Sequence, residues 1–246
     1  AFRRPDRGVH HRAVRLMTEP RRHFHEELDS LELAVLGMGE VAEAMVAEAC
    51  KALARDDLLI ADGVIERDDD LDGRYLQVER RTLELLALQT PVAIDLRVIS
   101  AILHSNVHLE RVGDMAVNIA KIVKVVHGLP VNQTILSHLA EMGDLARQML
   151  RASMDALARR DIGLALKLPE MDDPVDRLNR GMYREVASCA WDPQMLEWAI
   201  RMMVVSRQLE RIGDHAVDIA EQVAFLITGE FREFTDASHP EVEGAG

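Results

Sequence analysis

Residues 109–120 read LERVGDMAVNIA, and residues 209–220 read LERIGDHAVDIA. The two stretches stand 100 residues apart and agree at nine of their twelve positions. Helical composition alone does not produce that agreement, so the chain is read as an internal duplication.

Outward from these two boxes, the hydrophobic period resolves six helical stretches. The first covers 24–54, with Leu28, Leu31, Val35, Met38, Val41, Met45 and Ala49 at helical spacing. Arg55-Asp56-Asp57 forms a polar corner that caps the next stretch, 58–88, whose apolar side carries Ile60, Val64, Leu71, Tyr75, Val78 and Leu85. Pro91 stops it. The third, 94–127, contains the first box and ends at Gly128, Pro130 and Asn132. The fourth covers 135–159. The fifth is interrupted, helical over 161–168, broken by Pro169 and Pro174 and resumed over 175–187. The sixth opens after Asp192-Pro193, where proline suits a first turn, and Gly229 closes it.

Each box therefore lies on the third helix of a triplet. The second helices also correspond: residues 66–72 read ERDDDLD and residues 170–176 read EMDDPVD. Long helices with short connections form antiparallel bundles, so the expected fold is all-α, two tandem three-helix bundles related by a pseudo-twofold. The bundles are assigned to 23–128 and 134–230. Residues 1–22 are read as a disordered or non-native tail, with Met17 as the natural start, and 231–246 as a frayed C-terminal tail.

Composition agrees and excludes several functions. Aromatics make up only 4 % of the chain, which favours helix over strand. A net charge of −13 excludes a nucleic-acid partner, which demands a basic surface. No apolar run of membrane-spanning length occurs, so direct membrane insertion is excluded, and the basic residues 1–16 lack a signal peptide's apolar centre. Cys50 and Cys189 have no metal or redox spacing and are expected to be core residues, and Trp191 and Trp198 are read as packing residues at the start of the last helix.

Acidic residues recur four apart, hence on one helix face: Glu110 with Asp114, Glu210 with Asp214, Asp68 with Asp72, and Asp172 with Asp176. Asn118 and Asp218 extend the third-helix pairs by a further turn and are candidate additional ligands should the pairs hold metal. Like charges at this spacing destabilise a bare helix. Two readings remain open. Either the faces meet water, with Arg111 and Arg211 compensating, or the pairs of the second and third helices face each other and hold metal ions. Oxygen ligands suit Mg, Mn, Fe or Ca and accept Zn. Gly113 and Gly213 precede the boxes' aspartates and are expected to permit close helix approach or room for a ligand.

Nothing nominates a catalytic centre. A di-iron site on helices uses Glu-x-x-His, and no histidine here has glutamate three residues before it. His215 has Met115 as its counterpart, and a one-sided histidine is read as a surface or core residue.

These residues resemble the PhoU family of phosphate-signalling proteins. The likeness rests on Thr90-Pro-Val-Ala-Ile-Asp-Leu-Arg97 opening the third helix, on both boxes, and on His25-Glu-Glu-Leu28. It spans about 23–230. The resemblance implies a cytoplasmic, non-enzymatic negative regulator of phosphate uptake and of the phosphate-starvation response. Its implied partners are the ATPase subunit of the phosphate importer, the phosphate sensor histidine kinase and a second copy in a homodimer. It also implies metal (Fe, Zn, Mn or Mg) held by paired acidic motifs: Asp68/Asp72 with Glu110/Asp114, and Asp172/Asp176 with Glu210/Asp214. Two departures stand out. Asp218 replaces the family's usual Asn, and Pro174 falls inside the second acidic pair, where a bend would part Asp172 from Asp176. The first site is therefore the favoured one. The competing readings are a metal-dependent phosphohydrolase and a helical stress-response scaffold.

Overall fold

Leu31, Val35, Met38, Ala42, Met45 and Ala49 alternate steps of three and four residues, and each is fully buried. That spacing places one continuous apolar seam on the first helix, and the whole molecule is built on such seams. The computed structural model describes the backbone over residues 7–88 and 91–234, and side chains from residue 21 onward. Seven helices are present in this range: α1 (Arg7–Arg55), α2 (Leu58–Leu88), α3 (Ala93–Val126), α4 (Gln133–Arg159), α5 (Ile162–Ala165), α6 (Leu168–Ser188) and α7 (Pro193–Thr228). Helices α1, α2 and α3 form the first bundle, and α4, α6 and α7 the second. No described helix is long and apolar enough to cross a membrane.

The helix ends follow from local chemistry. Asp57 Oδ1 accepts the backbone N–H groups of Leu59 and Ile60 at 2.9 and 3.1 Å. Asn132 does the same for Thr134 and Ile135, and Asp192 for Gln194 and Met195, so each side chain satisfies donors that a helix start leaves orphaned. Gly229 closes α7 with φ +77°, a conformation that costs glycine nothing.

Between the bundles, α3 packs on α7 and α1 on α4. Each of these four helices thus meets its own counterpart, as a pseudo-twofold axis between them produces. Small residues let the helices approach. A Cβ on Gly143 would lie 2.6 Å from Cys50 Sγ, and one on Gly39 would lie 2.7 Å from Met154 Cε. Glu43 of α1 is held by Arg147 at 3.1 Å and Arg151 at 2.5 Å. Burial opposes its ionisation, but the two guanidiniums outweigh burial and hold the carboxyl below the usual range.

Several sequence expectations change. The interrupted fifth helix is instead a single turn, α5, followed by a continuous α6. Pro169 sits in the first turn of α6, where no N–H is required, and Pro174 is carried inside the helix. Burial of Asp172, Val175 and Asp176 around it keeps the helix intact despite the missing donor. Trp198 is a core residue at 2 % exposure, but Trp191 is 78 % exposed, because it belongs to the turn before α7. Cys189 is buried, and burial pushes the Cys50 thiol up to about 12, consistent with inert packing roles. Helix α1 opens at Arg7, inside the stretch read as a tail. Residues 1–6, Thr90 of the third-helix opening, and 235–246 of the C-terminal tail lie outside the described residues.

Candidate metal centre

The acidic pairs of α2 and α3 do face each other. Burial raises the carboxyls of Asp68 and Glu110, and repulsion adds to it: Asp72 and Asp114 act on Asp68, and Asp114, Asp72 and Asp68 act on Glu110. Two cations answer this charge. Arg111 reaches Glu110 at 3.5 Å and Asp114 at 3.3 Å, and Lys121, about two turns past Asp114, favours ionised Asp68. No three of Asp68, Asp72, Glu110 and Asp114 bring a ligand oxygen within 4.8 Å of one another. Asp72 and Asn118 are exposed. In this half the reading of compensated, solvated charge accounts for much of what is seen.

The second half differs. Asp172, Asp176 and Glu210 are 8 %, 8 % and 7 % exposed. Arg207 pairs with Glu210, and Arg180 with Asp176 at 3.4 Å. Burial, with repulsion from Asp214 and Asp176, pushes the Glu210 carboxyl up to about 7 despite Arg207. Asp214 is likewise raised, first by its protein surroundings, then by Asp176 and Asp218, with Arg207 opposing. A cavity of about 210 Å³ is lined by Asp172, Asp214, Asp218 and Glu221, closed by Pro169, Val217 and Phe234. Four carboxylates line this one pocket, although, as in the first half, no three of them bring ligand oxygens within 4.8 Å of one another.

Glycine explains the difference. A Cβ on Gly113 would collide with the tip of Leu71, whereas one on Gly213 would stand 2.6 Å from Asp172 Oδ1. The same glycine makes room for a leucine in the first half and for a carboxylate in the second. Along the third helices, the first half offers Glu110, Asp114, Asn118 and Lys121, and the second Glu210, Asp214, Asp218 and Glu221. Glu221 was not among the residues singled out from the sequence. It lies three residues past Asp218, outside both the box and the four-residue spacing. It accepts the Phe234 N–H at 2.6 Å, and burial still raises its carboxyl.

The residues of the second pocket suit a metal. Burial, joined by repulsion, raises the Asp214 and Glu221 carboxyls, and a hard divalent cation held by oxygen donors relieves such crowding. Asp172, Asp214, Asp218 and Glu221 would hold it. Glu210 and Asp176 stand beside this pocket rather than in it.

Known proteins share this architecture. The family model for the PhoU domain matches residues 35–123 and again residues 139–223. A curated relative from Caulobacter vibrioides, named a phosphate-specific transport system accessory protein PhoU homolog, is 35 % identical over 208 residues, 84 % of this chain and 90 % of the relative. A relative of the same name from Clostridium acetobutylicum is 32 % identical over 218 residues, 88 % of this chain and 99 % of the relative. The crystal structure of PhoU from Pseudomonas aeruginosa superposes with a TM-score of 0.79 at 33 % identity, covering 84 % of this chain and all of that one.

Proposed function

The chain belongs to the PhoU family, and on that premise we propose that it is a cytoplasmic negative regulator of phosphate uptake and of the phosphate-starvation response. In this reading it acts as an adaptor between the ATPase subunit of the high-affinity phosphate importer and its sensor histidine kinase, as a homodimer. The observation that carries the reading is the tandem PhoU domain, shared over most of the chain with relatives named as accessory proteins of the phosphate-specific transport system.

The structure supports a binding role for its acidic faces. Metal in the second-half pocket would offset part of the charge on Asp172, Asp214, Asp218 and Glu221 and tie α6 to α7. The sequence favoured the first half. The buried Asp172 and the additional carboxylates favour the second, and Pro174, which cast doubt on it, lies within a continuous helix. Free phosphate is not the ligand of the bare pocket, because four carboxylates repel an anion unless a cation bridges them.

The test is co-purification of the importer ATPase and the sensor kinase with this chain, from cells held at low and at high phosphate. Specific capture of either is expected. Failure to capture both under both conditions sinks the adaptor reading. Hydrolysis of phosphate esters by metal-loaded protein, lost on Asp214→Asn, would replace it with the phosphohydrolase.

A further inference from the structure

His108 on α3 and His215 on α7 come from opposite bundles and meet at the seam. Their Nδ1 atoms are 3.1 Å apart. Asp218 Oδ2 lies 3.4 Å from His108 Nδ1 and 3.3 Å from His215 Nδ1. Among the described residues, these three form a group whose donor atoms all fall within 4.8 Å of one another.

The triangle has the dimensions of a coordination face. Zinc–nitrogen and zinc–oxygen bonds of about 2.0–2.1 Å at tetrahedral angles separate neighbouring ligands by about 3.3 Å. The three observed edges bracket that value. Hydrogen bonding satisfies the triangle less well. Each Nδ1 carries at most one proton and the ionised carboxylate carries none, so two protons serve at most two of three edges. The remaining edge is a contact between like groups, and a cation at the centre removes the conflict. Both rings are mostly buried, with side-chain exposures of 20 % and 17 %.

The duplication supplies independent support. The counterparts of His108, His215 and Asp218 are Gln208, Met115 and Asn118. All three positions differ between halves. Within the twelve-residue box only one other position differs, Val112 against Ile212, and that exchange keeps an aliphatic core residue. The differences thus concentrate at one point in space, on one side of the pseudo-twofold.

We propose that His108, His215 and Asp218 form a three-ligand site for a zinc-type divalent cation that clamps the two bundles together across the α3–α7 seam. Two imidazoles and a carboxylate select a borderline metal over the hard cations favoured by the all-carboxylate pocket, and water completes the tetrahedron. The site does not depend on the regulatory reading, and it shares Asp218 with the acidic pocket.

The test uses the full chain, stripped with chelator and titrated with Zn²⁺ against a chromophoric competitor, and separately with Co²⁺. A single tight Zn²⁺ equivalent and an intense tetrahedral Co²⁺ visible band are expected. Both are lost in His108→Gln and His215→Met, which borrow the residues of the other half and so preserve packing; circular dichroism checks their helicity. Asp68→Asn/Asp114→Asn, confined to the first acidic cluster, retains both signals. Three results overturn the proposal: wild type without tight Zn²⁺, a weak octahedral Co²⁺ spectrum, or folded His108→Gln that binds as wild type does. Loss of the signals in Asp68→Asn/Asp114→Asn overturns it as well, by placing the metal on carboxylates instead.

Discussion

Replacing Glu210 with glutamine should stabilise the metal-free protein, and only above a definite pH. Glu210 is 7 % exposed, its Oε2 is buried without a hydrogen-bond partner, and Asp214 and Asp176 repel its charge. Its carboxyl is pushed up to about 7 from an ordinary 4.5. A raised carboxyl keeps its proton longer in the folded chain than in the unfolded one. Between those two values the folded state binds more protons, so stability falls as pH rises through the window. Below 4.5 both states are protonated and Glu210 contributes no slope. At ~1.4 kcal/mol per pH unit, the accumulated loss above neutrality is on the order of 3 kcal/mol. Arg207 is well exposed, so removing its partner returns little of that. Glu210→Gln keeps the shape and removes the titration. Urea unfolding followed by circular dichroism, in chelator, should show the variant equal to wild type near pH 4.5 and more stable by about 2–3 kcal/mol near pH 8. Asp68, Glu110 and Glu221 titrate in both proteins and cancel in the difference, while the relief of Asp214, which repels Glu210, adds to it in the same direction. A stability difference that stays constant with pH, or grows towards acid, would refute the reasoning.

Gly113→Ala gains about 1 kcal/mol of helix propensity but drives a methyl into fully buried Leu71, for a net loss of about 1–2 kcal/mol in urea unfolding at unchanged slope. The loss should shrink when Leu71→Ala is present, since the pair is in contact. Asn132→Ala removes the cap that serves Thr134 and Ile135 and should lower stability by about 1 kcal/mol by the same measurement. Glu221→Lys copies Lys121 into the second pocket and should weaken Mn²⁺ binding there by about tenfold or more in calorimetric titration. Mn²⁺ binding that is unchanged in this variant would remove Glu221 from the pocket's ligand set.

The duplicated box made the fold legible, because helix period, proline and glycine breaks and repeat register all pointed to the same two bundles. Pro174 was the exception. Its cost as a helix breaker is a local property, while the burial of Asp172, Val175 and Asp176 that overrides it is tertiary. Trp191 misled for the converse reason: it was read as packing at the start of the last helix, and its place in the turn before α7 put it in water. The acidic pairs were visible because four-residue spacing is a one-helix signal. Glu221 and His108 lay outside that signal. One joins the pocket through the three-residue step past Asp218. The other reaches His215 only because α3 crosses α7, a contact no local pattern encodes.

Comparing the two halves separates what the duplication had to keep from what it was free to change. Leu109, Gly113, Ala116, Ile119 and Ala120 are identical to Leu209, Gly213, Ala216, Ile219 and Ala220, and all ten are buried. These residues sit inside the packed core, Gly113 against Leu71 of α2 and Gly213 against Asp172 of α6, where a change of volume is felt. Glu110 and Asp114 are also shared with the second copy, so the ancestral unit already carried an acidic pair. What diverged is the far end of each ridge. Asn118 and Lys121 leave the first cluster compensated, whereas Asp218 and Glu221 gather carboxylates at the second pocket, and His215 turns the same helix towards His108. A shared scaffold therefore presents two unequal electrostatic faces. A partner that reads charge on this surface meets one orientation of the molecule, and the pseudo-twofold in the backbone does not extend to binding.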